Sequence, residues 1–195
     1  MGSWGATDAD EAKPKFLTTE EKKGVYATAG GWVSQAGQAS SGNDNASAQP
    51  EVLVALRGLA TKIGQATVDA VEIVTTAMDA SDGGVIRVDV HYNEQVTVAT
   101  ASPMVVVTNS QAGGGSAANF TLTMDGALPQ TGDSLSFSTT VAGGGAVAAG
   151  DVLSIAAHNI DLNSGTMVDA VGGGNAEIAI SGAVGTAAGT LTVVA

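Results

Sequence analysis

The sequence predicts a mainly β protein: an antiparallel β-sandwich over residues 67–195, preceded by an extended N-terminal arm and one short helix. Three observations predict it. From Thr67 onward, apolar residues alternate with polar or small ones, the period of a half-buried strand. Glycine-rich turns separate these runs with no helix between them, the pattern of an antiparallel sandwich. Before residue 64 the composition is different. Six of the seven basic residues (Lys13, Lys15, Lys22, Lys23, Arg57, Lys62) and three of the four Trp and Tyr residues (Trp4, Tyr26, Trp32) lie there.

Residues 1–19 hold few aliphatics and include Gly2, Gly5 and Pro14, so an isolated peptide of this composition is expected to be a mobile arm. Thr18-Thr19-Glu20-Glu21 has capping-box spacing, a hydroxyl accepting from an early helical N–H while Glu21 reaches back, which is compatible with the start of a short helix and leaves the segment open. The following Val25-Tyr26-Ala27-Thr28-Ala29 fits a strand as well as a helix, and Gly30-Gly31 ends either one. Ser34 to Gln49 reads as a loop. A helix is expected over 50–64: Pro50 suits a first turn and Glu51 the positive dipole end. Leu53, Leu56, Ala60 and Ile63 recur at helical spacing, and Lys62 with Gly64 closes the segment. The organisation that results is an arm and attachment segment (1–49), a helix (50–64) and a β-sandwich (67–195).

Within the sandwich, period-two alternation marks Val71 and Ile73; Ile86 to Tyr92; Phe120 to Met124; Leu135 and Phe137; Leu153 and Ile155; and Ile178 and Ile180. Val105 to Val107 is a more continuous apolar run. Turns are expected at Asp82-Gly83-Gly84, Gly113 to Gly115, Asp125-Gly126, Gly143 to Gly145 and Gly172 to Gly174. Gly182 to Gly189 reads as a flexible tether. Residues 190–194 resume strand character, pairing within their own sheet or with a neighbour's edge; their own sheet is favoured, because an unpaired edge strand invites aggregation.

At 195 residues and 44% apolar composition the chain can bury one core of ordinary size. The net charge of -12 argues against a broad nucleic-acid-binding surface, which needs clustered cations. After residue 63 there are twelve acids against Arg87 alone, so that part should repel nucleic acid and anionic membrane. Absence of cysteine excludes disulfides, thiol catalysis and Cys-ligated zinc. No apolar stretch is long enough to span a membrane and the charged start does not fit a signal peptide, so a soluble product made in a cytoplasm is expected.

No catalytic constellation is present. His91 and His158 are isolated, and HExxH, GxSxG and GxxxxGK[ST] are all missing. The plain reading of the glycine clusters is loop formation. Asp79 and Asp82, or Asp151, Asp161 and Asp169, have the chemistry to meet around Ca2+, but acidic loops are also ordinary solubility, and no metal or other cofactor is expected. Trp4, Phe16, Tyr26 and Trp32 are candidate partner anchors, because rings bury large areas at low entropy cost. For Tyr26 and Trp32 the competing reading is that they cover the expected helix within the chain. Lys13 and Lys15 flank Pro14 as solvated charges or as pairs to a partner's acids.

Two resemblances add to this reading. The segment from Val85 to about Ala179 resembles bacterial immunoglobulin-like domains of surface and adhesion proteins, through Val88-Asp89-Val90-His91-Tyr92-Asn93-Glu94-Gln95-Val96, Ser102-Pro103, Leu135-Ser136-Phe137, and Asn159 to Thr166 leading into Val168-Asp169. It implies an immunoglobulin-like sandwich and is nearly silent on function. The N-terminal third resembles small virion proteins of marine cyanophages and related tailed phages, through Ser3 to Asp8, Lys13 to Thr18, Glu20 to Lys23, Tyr26 to Thr28, Gly31 to Val33 and Gln49 to Val54. It implies a virion component. A non-enzymatic capsid decoration or cement protein is therefore expected, binding the major capsid protein or other virion proteins through Trp4, Lys13, Lys15, Phe16, Tyr26 and Trp32. Self-association on the particle is compatible with that role. A tail, neck or fibre protein, or an adhesin-type module binding a cell-surface ligand, is the alternative.

Overall fold

The computed structural model describes residues 13–28, 31–37, 45–55 and 65–195. In chain order they form α1 (Thr19–Lys23), β1 (Val25–Thr28), β2 (Gly31–Ser34), β3 (Glu51–Ala55), β4 (Val68–Ile73), β5 (Gly83–Val98), β6 (Met104–Asn109), β7 (Asn119–Met124) and β8 (Gln130–Ala142). There follow β9 (Val152–Ser154), β10 (His158–Asn159), β11 (Met167–Asp169), β12 (Ala179–Ile180), α2 (Gly182–Ala187) and β13 (Thr190–Thr192). The strands make a small sheet β1-β2-β3, a two-stranded pair β10-β12, and a large antiparallel sheet in the order β11-β5-β8-β7-β6-β9-β13, with β4 also on β5.

The long strand β5 organises the large sheet. Along one edge it pairs with β8 both before and after an irregularity between His91 and Val96. Its other edge carries β4 over Val88–Tyr92 and β11 over Val96–Val98. A strand interrupted in this way bends, and the sheet curls with it. Past the far edge strand β13, Val194 N–H donates to the Met78 carbonyl and Ala80 N–H donates to that of Val194. That bridge brings the end of the strand path beside the segment entering β5, so the seven-strand path is nearly closed.

Burial follows the alternation. Ile86, Val88, Val90, Tyr92, Val96 and Val98 of β5 face inward, completely buried, against Leu135 and Phe137 of β8, Val107 of β6, Leu122 of β7 and Leu153 of β9. Each such side chain contributes about 1.5–3 kcal/mol of burial free energy. The small sheet has its own cluster of Val25, Ala27 and Trp32, with Leu17, Leu53 and Val54 packed on it. The two clusters share no residue: the larger takes none before Ala66, the smaller none after Val54.

Three sequence expectations are corrected. The first half of the expected 50–64 helix is strand β3, because Val52-Leu53-Val54 suits a pleated surface and β2 supplies a ladder, Trp32 opposite Val54 and Val33 opposite Val52; residues 56–64 lie outside those described. The expected tether at 182–189 contains helix α2, whose Ser181 side chain accepts from Val184 N–H at 3.2 Å while Val184 and Ala188 pack on the large core. Of the expected mobile arm, residues 13–19 are fixed in place, since Lys13 is buried and Leu17 packs on the small core; residues 1–12 lie outside the description. The capping box is present, with Thr18 Oγ1 accepting from Glu21 N–H and Glu21 Oε2 accepting from Thr18 N–H. The alternative left open at 25–29 resolves as strand β1. Residues 190–192 pair with β9 of their own sheet, Leu191 opposite Leu153.

Candidate functional site

The chain's charge asymmetry is used where the small sheet and α1 meet β4, β5 and β8. Lys13 Nζ donates at 2.7 Å to both Asp69 Oδ2 on β4 and the Lys22 carbonyl at the C-terminal end of α1. One ammonium thus caps a helix at its negative dipole end and ties it to the large sheet. Lys23 Nζ bonds Glu72 Oε2 of β4 at 2.8 Å and Glu20 Oε2 at 2.9 Å. Burial opposes the Lys23 charge, but these two carboxylates outweigh it and the pKa rises. Beyond β2, the Gln35 side-chain amide donates to Asp133 Oδ1 at the start of β8.

Between these contacts lies a polar layer with little solvent. Asp133 is fully buried, which pushes its carboxyl upward against the opposing pull of Gln35 and Lys13. His91, on the face of β5 opposite the core, is 8% exposed, and among the described residues neither ring nitrogen has a hydrogen-bond partner; Glu72 Oε2 stands 3.9 Å away. Desolvation lowers the His91 pKa, with Lys23 and Lys13 acting in the same direction and Asp89 and Glu72 against it. Beside this layer, a groove of about 530 Å3 runs between α1, β4 and α2, lined by Glu20, Lys23, Asp69, Glu72, Val184 and Ala187 among others.

The expected site residues divide between inside and outside. Lys13 is held in the junction, and Tyr26 and Trp32 are buried within the chain at 6% and 3% exposure. Lys15 and Phe16 project from the turn that Leu17 N–H closes on the Pro14 carbonyl, with Phe16 70% exposed. Trp4 lies outside the described residues.

The loop carboxylates are engaged separately. Asp79 Oδ1 accepts from Ser81 N–H and Oγ; Asp161 Oδ1 from Asn163 N–H; and Asp169 Oδ1 from Val171 and Gly172 N–H. Asp151 is completely buried and accepts from Asn109 Nδ2 at 2.8 Å, Gly113 N–H at 2.7 Å and Ala148 N–H at 3.0 Å, which ties the β8–β9 loop to the end of β6 and the β6–β7 loop and holds its carboxyl below the usual range. Among the described residues, no three His, Asp or Glu side chains gather as a metal site needs. His158 Nε2 accepts from Val106 N–H at 3.1 Å and Nδ1 lies 2.9 Å from the Ala156 carbonyl, so its Nδ1 carries the proton.

Sequence reasoning passed over Asp69, Glu72, Asp133, Gln35 and Lys23 as site residues. The available signal was the opposition of a basic N-terminal third to an acidic remainder. What it lacked was register: residues three apart on a regular strand face opposite ways, and β4 carries an irregularity between Val68 and Ala70, at Asp69. Comparison with protein-family models, with curated proteins and with solved structures found no match to this chain.

Proposed function

We propose that this chain is a non-enzymatic phage virion protein, a capsid decoration or cement subunit that binds the major capsid lattice through its N-terminal region. The observation that carries the reading is the exposure of Phe16 beside a buried Lys13. The turn holding Lys15 and Phe16 is fixed at its root, so it presents a ring and a cation to a partner without being a loose tail, and such preorganisation lowers the entropy cost of binding. On this reading Trp4, Lys15 and Phe16 make the contact, while Lys13, Tyr26 and Trp32 position it. The engagement of the loop carboxylates in their own turns favours a binding role over catalysis. Many copies, each bridging coat subunits, would stabilise the assembled state by mass action. The finer fold assignment, an immunoglobulin-like sandwich, belongs to the same proposal and rests on the resemblance over Val85 to Ala179.

Electron microscopy of purified particles tests the reading, together with add-back to particles lacking the protein. Regular occupancy of capsid lattice positions is expected, with Phe16→Ala reducing add-back affinity roughly 30-fold, the effect of losing a buried aromatic anchor. Density confined to tail, neck or fibre would favour the second placement. Absence from the particle, with binding of the isolated protein to cells, would favour an adhesin.

A further inference from the structure

The small sheet and the large one have separate apolar clusters, and charged and polar side chains from both sides meet at their junction. Lys13 and Lys23 face Asp69 and Glu72, and Gln35 faces Asp133. The acidic partners stand on β4 and β8, and the carboxylates of Asp69 and Glu72 remain 40% exposed even with the lysines bound. These contacts define a receptor with known ligand chemistry, two ammonium groups and a side-chain amide on one short stretch, residues 13–35.

We infer that the Asp69, Glu72 and Asp133 strip is an exchangeable receptor, which takes the Lys13–Gln35 stretch from its own chain or the same stretch from a second copy. Nothing in the contacts distinguishes the two sources, since every donor and acceptor is identical. The choice is set by concentration. A covalent tether gives its own segment an effective concentration on the order of millimolar, and copies crowded side by side reach the same range. The crowded case rests on the virion reading above, but the strip's competence to accept a second copy does not. Exchange of identical elements is a low-cost route to association, because it creates no new interface. The exchange leaves both apolar clusters folded when β3 travels with β1 and β2, since Leu53 and Val54 pack on the small cluster and β3 pairs with β2.

Charge reversal separates the two sources in full-length protein. Lys13→Glu with Lys23→Glu cannot dock on its own acidic strip, and Asp69→Lys with Glu72→Lys cannot receive its own lysines, so each variant alone should be monomeric at 19.0 kDa. Mixed, the native lysines of the second variant meet the native strip of the first. Light scattering should then report a species of twice the monomer mass. Its dissociation constant should rise at least tenfold between about 0.05 and 0.5 M NaCl, as the Debye length contracts from over 10 Å to about 4 Å. Should either reversal prevent folding, the variant Lys13→Gln with Lys23→Gln is mixed instead with the variant Asp69→Asn with Glu72→Gln, which leaves one free set of native lysines facing one free native strip and is read in the same way. A mixture that stays monomeric at millimolar concentration overturns the inference, as does a dimer indifferent to salt. Neither result bears on whether the protein occupies a capsid, so its failure and that of the virion reading are distinguishable.

Discussion

Single atoms decide what the glycine clusters do. A Cβ on Gly115 would lie well inside contact distance of Asp151 Oδ2, whereas one on Gly114 meets nothing within 4 Å, and Gly114 pays only for its positive φ of 94°. Gly115→Ala is therefore expected to cost about 1–3 kcal/mol through overpacking around a buried carboxylate, and Gly114→Ala about 1 kcal/mol through backbone strain alone. Denaturant melts of the two variants should rank them in that order; equal losses would mean that the Asp151 hub is not close-packed. On β5 of the large sheet, His91 sets a pH dependence. Burial favours its neutral form, so its folded pKa lies below 6.5 and the undocked or unfolded chain takes up the proton first as pH falls. The stability it confers is complete above pH 6.5 and is lost as pH drops toward the folded value. His91→Leu should flatten the fall in melting temperature between about pH 6.5 and 5, because it removes an imidazole that burial holds neutral in the folded chain; an unchanged slope would assign the fall to other groups.

Elements differ in how far their own residues specify them. The strands of the large sheet were legible because their cores repeat with period two, and Ile86, Val88 and Val90 face one way whatever packs on them. Helix α2 was not legible: Gly182-Ala183-Val184-Gly185-Thr186-Ala187 has weak helical propensity, and its support comes from Ser181 and from packing on the large core. The same contrast holds at 51–55, where apolar spacing matched a helix but the ladder offered by β2 lay far away in sequence. Of the candidate site, the charge division was readable, and the pairing of Lys13 with Asp69 was not, since it joins positions 56 residues apart. Gly185→Ala puts packing against propensity directly. The added methyl favours helix by up to about 1 kcal/mol, yet it would press into the Ile155 carbonyl. A net loss of stability is expected, and a rise in melting temperature would show that α2 stands off the sheet. Strand β13 gives a second test. Deleting residues 190–195 removes Leu191 and Val193, both buried, and should cost the monomer more than about 3 kcal/mol; an unchanged melt would place that strand on a neighbour.

Among the described residues of the whole molecule, two apolar clusters are joined across a charged layer, and the two parts should keep different time. Amide protons of Val105, Val107, Leu122 and Leu135 sit in ladders around fully buried side chains, and they should exchange with deuterium only through opening of the entire large sheet. Those of Tyr26 and Val33 depend on a three-stranded sheet over a much smaller cluster. They should exchange at a lower free energy, and faster as salt is added, while the large-sheet amides hold their rates. If both sets exchanged with one free energy at every ionic strength, the junction would be as cohesive as the cores. The buried His91 ring, 3.9 Å from Glu72 Oε2, marks where the slower body ends and the faster one begins. An isotope-exchange map of the intact chain would therefore trace its boundary along the face of β5, beneath the small sheet, and would not follow any loop.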